Sequence, residues 1–193
     1  MKKKVKKAEV KQVFGNNFLV KSGRALPIYK CFICEDEGLI TMVVIRSLPN
    51  GHYMMGSYLI DNYCLGLKNT NCRFDLSKDD MIGFVDLINE SVSDLQECTY
   101  ATVHNWIYGG IEYADELGFK PHKDFSFTKY LLALDNDDIE LIEFEFGKDG
   151  KPFFIAGPFD NSRRIMETLR DSIGEGNFDF VAESDQFGNL IGD

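Results

Sequence analysis

The sequence has no hydrophobic run approaching the ~20 apolar residues that a membrane-spanning helix requires. It shows no internal repeat, and no Pro/Gly/Ser-rich linker divides it; its five Pro are scattered. It contains no G-x-x-x-x-G-K-[ST] phosphate loop, which removes the commonest sequence signal of a nucleotide-driven motor. The start, MKKKVKKAEVKQ, has a basic stretch with no apolar segment behind it, unlike a secretory signal. The cysteines number five, at 31, 34, 64, 72 and 98, and an odd count in a chain of 193 residues argues against a disulfide framework. Reduced thiols and a cytoplasmic setting are the expectation.

What is present is apolar and aromatic. Hydrophobic residues make up 44% of the chain, with 16 Phe, enough to fill a real interior. The formal net charge of -10 hides an asymmetry. Residues 1–30 hold nine Lys or Arg against the single acid Glu9, and the remainder is strongly acidic. An acidic body repels phosphate backbones, so any nucleic-acid contact falls to the basic arm. The expected organisation is a basic arm over 1–24 followed by one domain over 25–193.

Residues 26–35 and 38–47 are rich in β-branched and aromatic side chains and read as paired strands across an Asp36-Glu37 turn. Pro49-Asn50-Gly51 is a turn, and residues 52–61 return as a third strand that continues to, or breaks at, Gly66. Ser77 and Asp80 form an S-x-x-D start for a helix carrying Met81, Phe84, Val85, Ile88, Val92 and Leu95. A second helix spans roughly Thr99 to Leu117, with Gly118 at its end. Its Gly109-Gly110 pair costs about 1 kcal/mol per residue relative to Ala, which implies a close approach by another helix or a bound molecule. Residues 125–135 fit either a strand or a short helix capped by Asp124. Alternation of Ile142, Phe144 and Phe146 with Glu143 and Glu145 predicts a strand over 139–146. It would pair with 152–156 through an Asp149-Gly150 hairpin. A third helix starts near Asp160, Asn161 or Ser162 and closes at Gly174, and 178–181 is a last strand. The fold class expected is α+β, an antiparallel sheet with about three helices packed on one side.

The stretch YLIDNYCLGLK (58–68) resembles the Y-L-[IV]-D-x-x-C-L-G-[VL]-K pattern of an uncharacterised bacterial family. ELGFKP and FEFGKDGKPFFIAGP are similar to later parts of the same family. Together they cover much of the chain from Ile45 to Pro158. The resemblance implies no established activity and brings no catalytic residues with it.

Several residues invite chemistry. Cys64 is the candidate nucleophile, with Lys68 supplying positive charge, His104 as base and Asp61 to orient it. In an extended strand, however, positions 61 and 64 point to opposite faces, and a buried structural thiol is the simpler reading. Cys31 and Cys34 form a C-x-x-C pair, but inside a strand they diverge, and no second ligand pair follows. His104 lies on the flank of its helix with Tyr108, where it could meet a substrate. Tyr108, Gly109 and Gly110 are the candidate ligand-binding positions. The acids Asp135, Asp137, Asp138 and Glu140 read as a solvated turn and not a cation loop, and GKDGKP reads as a hairpin. No metal or cofactor is expected.

Three functions follow as expectations. The leading one is a non-enzymatic module that binds a protein or small ligand. The second is a thiol-dependent hydrolase or transferase using Cys64 and His104. The third is an RNA-associated accessory protein acting through Lys2, Lys3, Lys4, Lys6 and Lys7, with Phe14 or Phe18 for stacking.

Overall fold

A computed structural model of the chain describes residues 23–136 and 138–181. The basic arm, with Lys2, Lys3, Lys4, Lys6 and Lys7, lies outside them, as does Asp137. The protein is α+β. Four strands run as an antiparallel meander: β1 (Ile28–Asp36), β2 (Leu39–Ser47), β3 (Tyr53–Asp61) and β4 (Gly66–Leu76). A short β5 (Gln96–Cys98) adds to the free edge of β1, giving the order β4-β3-β2-β1-β5. The helices are α1 (Lys78–Asn89), α2 (Tyr100–Glu116), the single turn α3 (Phe125–Thr128) and α4 (Ser162–Ile173). Two further strands, β6 (Phe153–Ile155) and β7 (Asp179–Val181), pair with each other in parallel.

Local chemistry sets the boundaries. The β1–β2 turn is Glu37-Gly38, one residue later than expected, with φ of 41° and 85°. Both residues are left-handed, as a two-residue hairpin loop requires. Ser77 caps α1 by accepting from Asp80 N at 3.2 Å, and Thr99 caps α2 by accepting from Thr102 N at 3.1 Å. Asn161, of the three candidates, caps α4 by accepting from Arg164 N at 3.1 Å. Residues 125–131 resolve as α3 and a following 3-10 turn, without a side-chain cap from Asp124.

The sheet is covered on both faces, which corrects the expectation of helices on one side. Met42 and Val44 of β2 pack with Val103, Trp106 and Ile107 of α2. Val43 and Ile45, which alternate with them, pack with Met81 and with Phe84, Val85 and Ile88 of α1. All four β2 residues are fully buried, so the near-continuous apolar run LITMVVI belongs to a strand sandwiched between two helices. A second core lies beyond the end of the sheet, where Cys64 and Leu65 meet Leu117, Phe154, Met166, Leu169 and Phe178.

Two sequence expectations fail for identifiable reasons. Residues 139–146 form no strand, although their alternation is real. It places Phe144 against Trp106 (ring centroids 4.0 Å, stacked) and Phe146 against Trp106 and Tyr113 (5.4 and 5.3 Å). An extended segment lying on a helix has the same period of two as a strand, without a ladder. The Asp149-Gly150 turn exists, closed by a bridge between Lys148 and Lys151, but the chain beyond it pairs with β7. Conversely, the sequence pattern signals neither β4 nor β5: β4 reads GLKNTNCRFDL, an edge strand too polar to announce itself.

Gly66 begins β4 at φ +62°, and a Cβ there would lie 2.5 Å from both Ala114 Cβ and Gly110 O of α2. The backbone of β4 therefore rests directly on α2. Gly66→Ala is expected to lower unfolding free energy by about 2–4 kcal/mol, combining left-handed strain with overpacking, as measured by urea denaturation.

Candidate functional site

Asp61 ends β3, and its side chain is only 8% exposed. Its Oδ1 accepts from three successive backbone N–H groups: Tyr63 (3.0 Å), Cys64 (3.0 Å) and Leu65 (3.4 Å). This holds residues 62–65 as a compact loop. Lys68 follows in β4 at a bulge: Ile60 pairs with Leu67 and Leu59 with Asn69, so Lys68 is the extra residue. Its ammonium reaches both Asp61 Oδ2 (3.9 Å) and Asp160 Oδ2 (2.9 Å). Asp160 in turn closes the turn Gly157-Pro158-Phe159-Asp160, accepting from Gly157 N at 3.0 Å while its own N–H donates to Gly157 O at 3.1 Å. The chain Asp61–Lys68–Asp160 thus ties the end of the sheet to the segment before α4. Burial raises the Asp61 pKa above the usual carboxylate range, opposed by the backbone bond from Cys64, the Lys68 charge and the bonds from Leu65 and Tyr63.

The same residues wall a cleft of about 540 Å³. Its floor is the part of the sheet that α1 leaves uncovered, represented by Thr41 of β2 and Leu59 of β3, which face each other in register. The β1–β2 turn forms one side with Asp36, Glu37 and Leu39, and Ile155 to Gly157 form another. Ser91 and Val92, just after α1, close the third. Leu39 and Ile155 are 41% and 42% exposed, and Phe159, at the tip of the turn that Asp160 closes, is 99% exposed.

The structure brings Asp61, Cys64 and Lys68 together and leaves His104 elsewhere. Cys64 is fully buried in the second core. Burial pushes its thiol pKa well up, Asp61 adds to the rise, and Lys68 opposes it, the reverse of what a nucleophile needs. His104 stands near the start of α2, between Tyr100 and Tyr108 (centroids 5.7 and 4.7 Å). The Asp61 loop instead meets α2 at Gly110 and Ala114 through Gly66. At 1.5 Å per residue those positions lie about 9–15 Å farther along the helix. Burial lowers the His104 pKa, partly offset by the backbone of Ala133, the Asp135 charge and the backbone of Leu134. Its Nε2 is buried without a hydrogen-bond partner.

Of the candidate ligand positions, Tyr108 and Gly109 line a separate hollow of about 350 Å³ with Asn105, Glu112 and Phe144, while both glycines are closely approached by the chain itself. A Cβ on Gly109 would lie 2.9 Å from Phe146, and one on Gly110 would lie 3.0 Å from Ile60. The close approach foreseen at these glycines is made by the 139–146 segment and by β3. The Tyr108 hydroxyl donates to Ala133 O at 3.1 Å. Cys31 and Cys34 diverge as strand parity requires: Cys31 joins the core beneath α2, while Cys34 lines the cleft, its sulfur 3.4 Å from Ser93 Oγ. Among the described residues no group of three His, Cys, Asp or Glu is placed to hold a metal ion, and no helix is long and apolar enough to cross a membrane. Asp160 was visible in the sequence only as one of three possible helix caps.

No family model, curated protein or solved structure matches this chain.

Two outcomes follow from this geometry. In native protein, iodoacetamide should leave Cys64 unlabelled until denaturant unfolds the chain, as peptide mass mapping would report. Because the folded His104 pKa is depressed, its contribution to stability is complete above the unfolded value of about 6.5 and declines as pH falls below it. His104→Phe should therefore flatten the dependence of the urea midpoint on pH between about 6.5 and 5.

Proposed function

We propose that this protein is a binding module, cytoplasmic in setting, that seats a small ligand or a side chain of a protein partner in the cleft over Thr41 and Leu59. The cleft itself carries the reading. Its volume of about 540 Å³ falls within the ~300–1,000 Å³ typical of ligand sites. Its floor is rigid sheet, and its walls come from three separate segments, one of which Lys68 ties to the end of the sheet through Asp160. Polar groups from separate segments (Asp36, Glu37, Asp61, Lys68, Ser91) converge beside the apolar side chains of Leu39, Leu59, Val92 and Ile155, the mix of a recognition site.

The thiol-enzyme reading has less support, since the Cys64 sulfur is sealed among apolar side chains and His104 belongs to a different cluster. The RNA reading rests on the lysines of the basic arm, outside the described residues.

Thr41→Trp would fill the floor of the cleft. Ligand-observed NMR with a set of metabolites and tripeptides should find binders whose affinity drops at least tenfold in this variant, while its urea midpoint stays near wild type. Binding that is indifferent to Thr41→Trp would overturn the proposal.

A further inference from the structure

We infer that the cleft recognises an organic cation, a guanidinium or ammonium group on an apolar stem such as an arginine or lysine side chain presents. This deepens the proposed binding role and rests on it.

The first observation is an unused acceptor. Asp61 lines the cleft, yet only one of its carboxylate oxygens is satisfied. Among the described residues no donor hydrogen-bonds to Oδ2, and the nearest cation, the Lys68 ammonium, stands off at 3.9 Å. Lys68 is committed to Asp160, to which it donates at 2.9 Å. With Oδ1 taken up by the loop, Oδ2 is the oxygen left to accept from an N–H donor in the cleft, preferably a charged one.

The second observation is the sign of the surroundings. Asp36 and Glu37 stand exposed at the mouth, and no ion pair engages either one among the described residues. With Lys68 neutralised by Asp160, the lining is net negative, which repels phosphates and carboxylates and attracts cations. The third is the shape of the remaining surface. Leu39, Leu59, Val92 and Ile155 provide the apolar contact that the stem of an arginine or lysine side chain uses.

The test uses the full chain and two peptides, acetyl-Gly-Arg-Gly-amide and the same peptide with neutral citrulline. In ¹⁵N-correlated NMR titrations the arginine peptide should shift the amides of Thr41, Leu59 and Tyr63. The citrulline peptide should bind at least tenfold more weakly. Asp36→Asn combined with Glu37→Asn should weaken arginine-peptide binding at least fivefold; Asn suits the left-handed backbone at position 37 (φ 41°). Asp61→Asn keeps an acceptor for the loop but removes the carboxylate charge, and should abolish binding. If that variant fails to fold, the turn variant decides alone. Equal binding of the citrulline peptide, or shifts confined to other amides, would sink the assignment. A neutral or anionic ligand that Thr41→Trp expels would overturn the cation class and leave the binding role standing. The absence of any Thr41-sensitive ligand would overturn both.

Discussion

One carboxylate gathers three consecutive backbone N–H groups, and the second half of the chain is built onto the loop this creates. With the N–H groups of residues 63–65 turned in toward Asp61, the carbonyls of the loop are left to face outward. They are then used in turn. Asn62 O accepts from Gly147 N at 2.8 Å, and Tyr63 O accepts from Phe153 N at 3.1 Å and from the Tyr113 hydroxyl at 3.4 Å. Just past the loop, in β4, Leu67 O accepts from His122 N at 2.9 Å. Segments distant in sequence therefore dock on one short loop by satisfying its acceptors, which buried backbone requires. Lys68 adds the charged tie to Asp160. Among the described residues β6 and β7 pair only with each other, so the C-terminal portion is tied to the five-stranded sheet through this loop and the second apolar core and not through strand pairing.

The cleft is a consequence of unequal lengths. A strand of nine residues such as β2 or β3 is about 30 Å long at 3.3 Å per residue. The 17 residues of α2 span about 26 Å and nearly match it. The 12 residues of α1 span only about 18 Å, so the helix cannot cover its face from end to end. It packs on Val43, Ile45 and Met55 and leaves Thr41 and Leu59 bare. The loop after α1 and the segment before α4 raise walls around this uncovered patch, and the result is a concavity on a rigid floor. The end of α1 departs from the sequence expectation: the apolar spacing continues to Val92 and Leu95, but the helix stops at Asn89, whose side chain accepts from Leu95 N at 3.1 Å.

Much of the architecture was legible because it is local. Caps, the Pro49-Asn50-Gly51 turn, the α2 stripe and the parity that separates Cys31 from Cys34 are decided within a few residues of chain. What could not be read was decided by partners far away. Phe144 and Phe146 alternate for Trp106 and Tyr113, not for a neighbouring strand. The Gly109-Gly110 pair announced a close approach but not that the chain itself would make it. The candidate site was half legible for the same reason. Asp61 and Lys68 stood out within one motif, while Asp160, 92 positions beyond Lys68, had no local feature to connect it. His104 was drawn into the constellation by chemistry alone, and the helix carries it away from the loop.

The acid, thiol and lysine of YLIDNYCLGLK turn out to divide their roles by burial. Cys64 contributes as an apolar side chain, the ordinary use of a sealed thiol. Asp61 is too buried to stand alone as a charge, and its cost is offset by three N–H bonds and a nearby ammonium. Lys68, however, is shared. Its short bond goes to Asp160, so the compensation of Asp61 is incomplete, and the incompleteness opens onto the part of the sheet that α1 leaves uncovered. The residue that organises the fold and the residue best placed to meet a ligand are the same. Under the proposed binding role a substitution at Asp61 acts on stability and recognition together, whereas one at Asp36 or Glu37, on an exposed turn, acts on recognition with little structural consequence. That contrast separates the two roles of the site within a single protein.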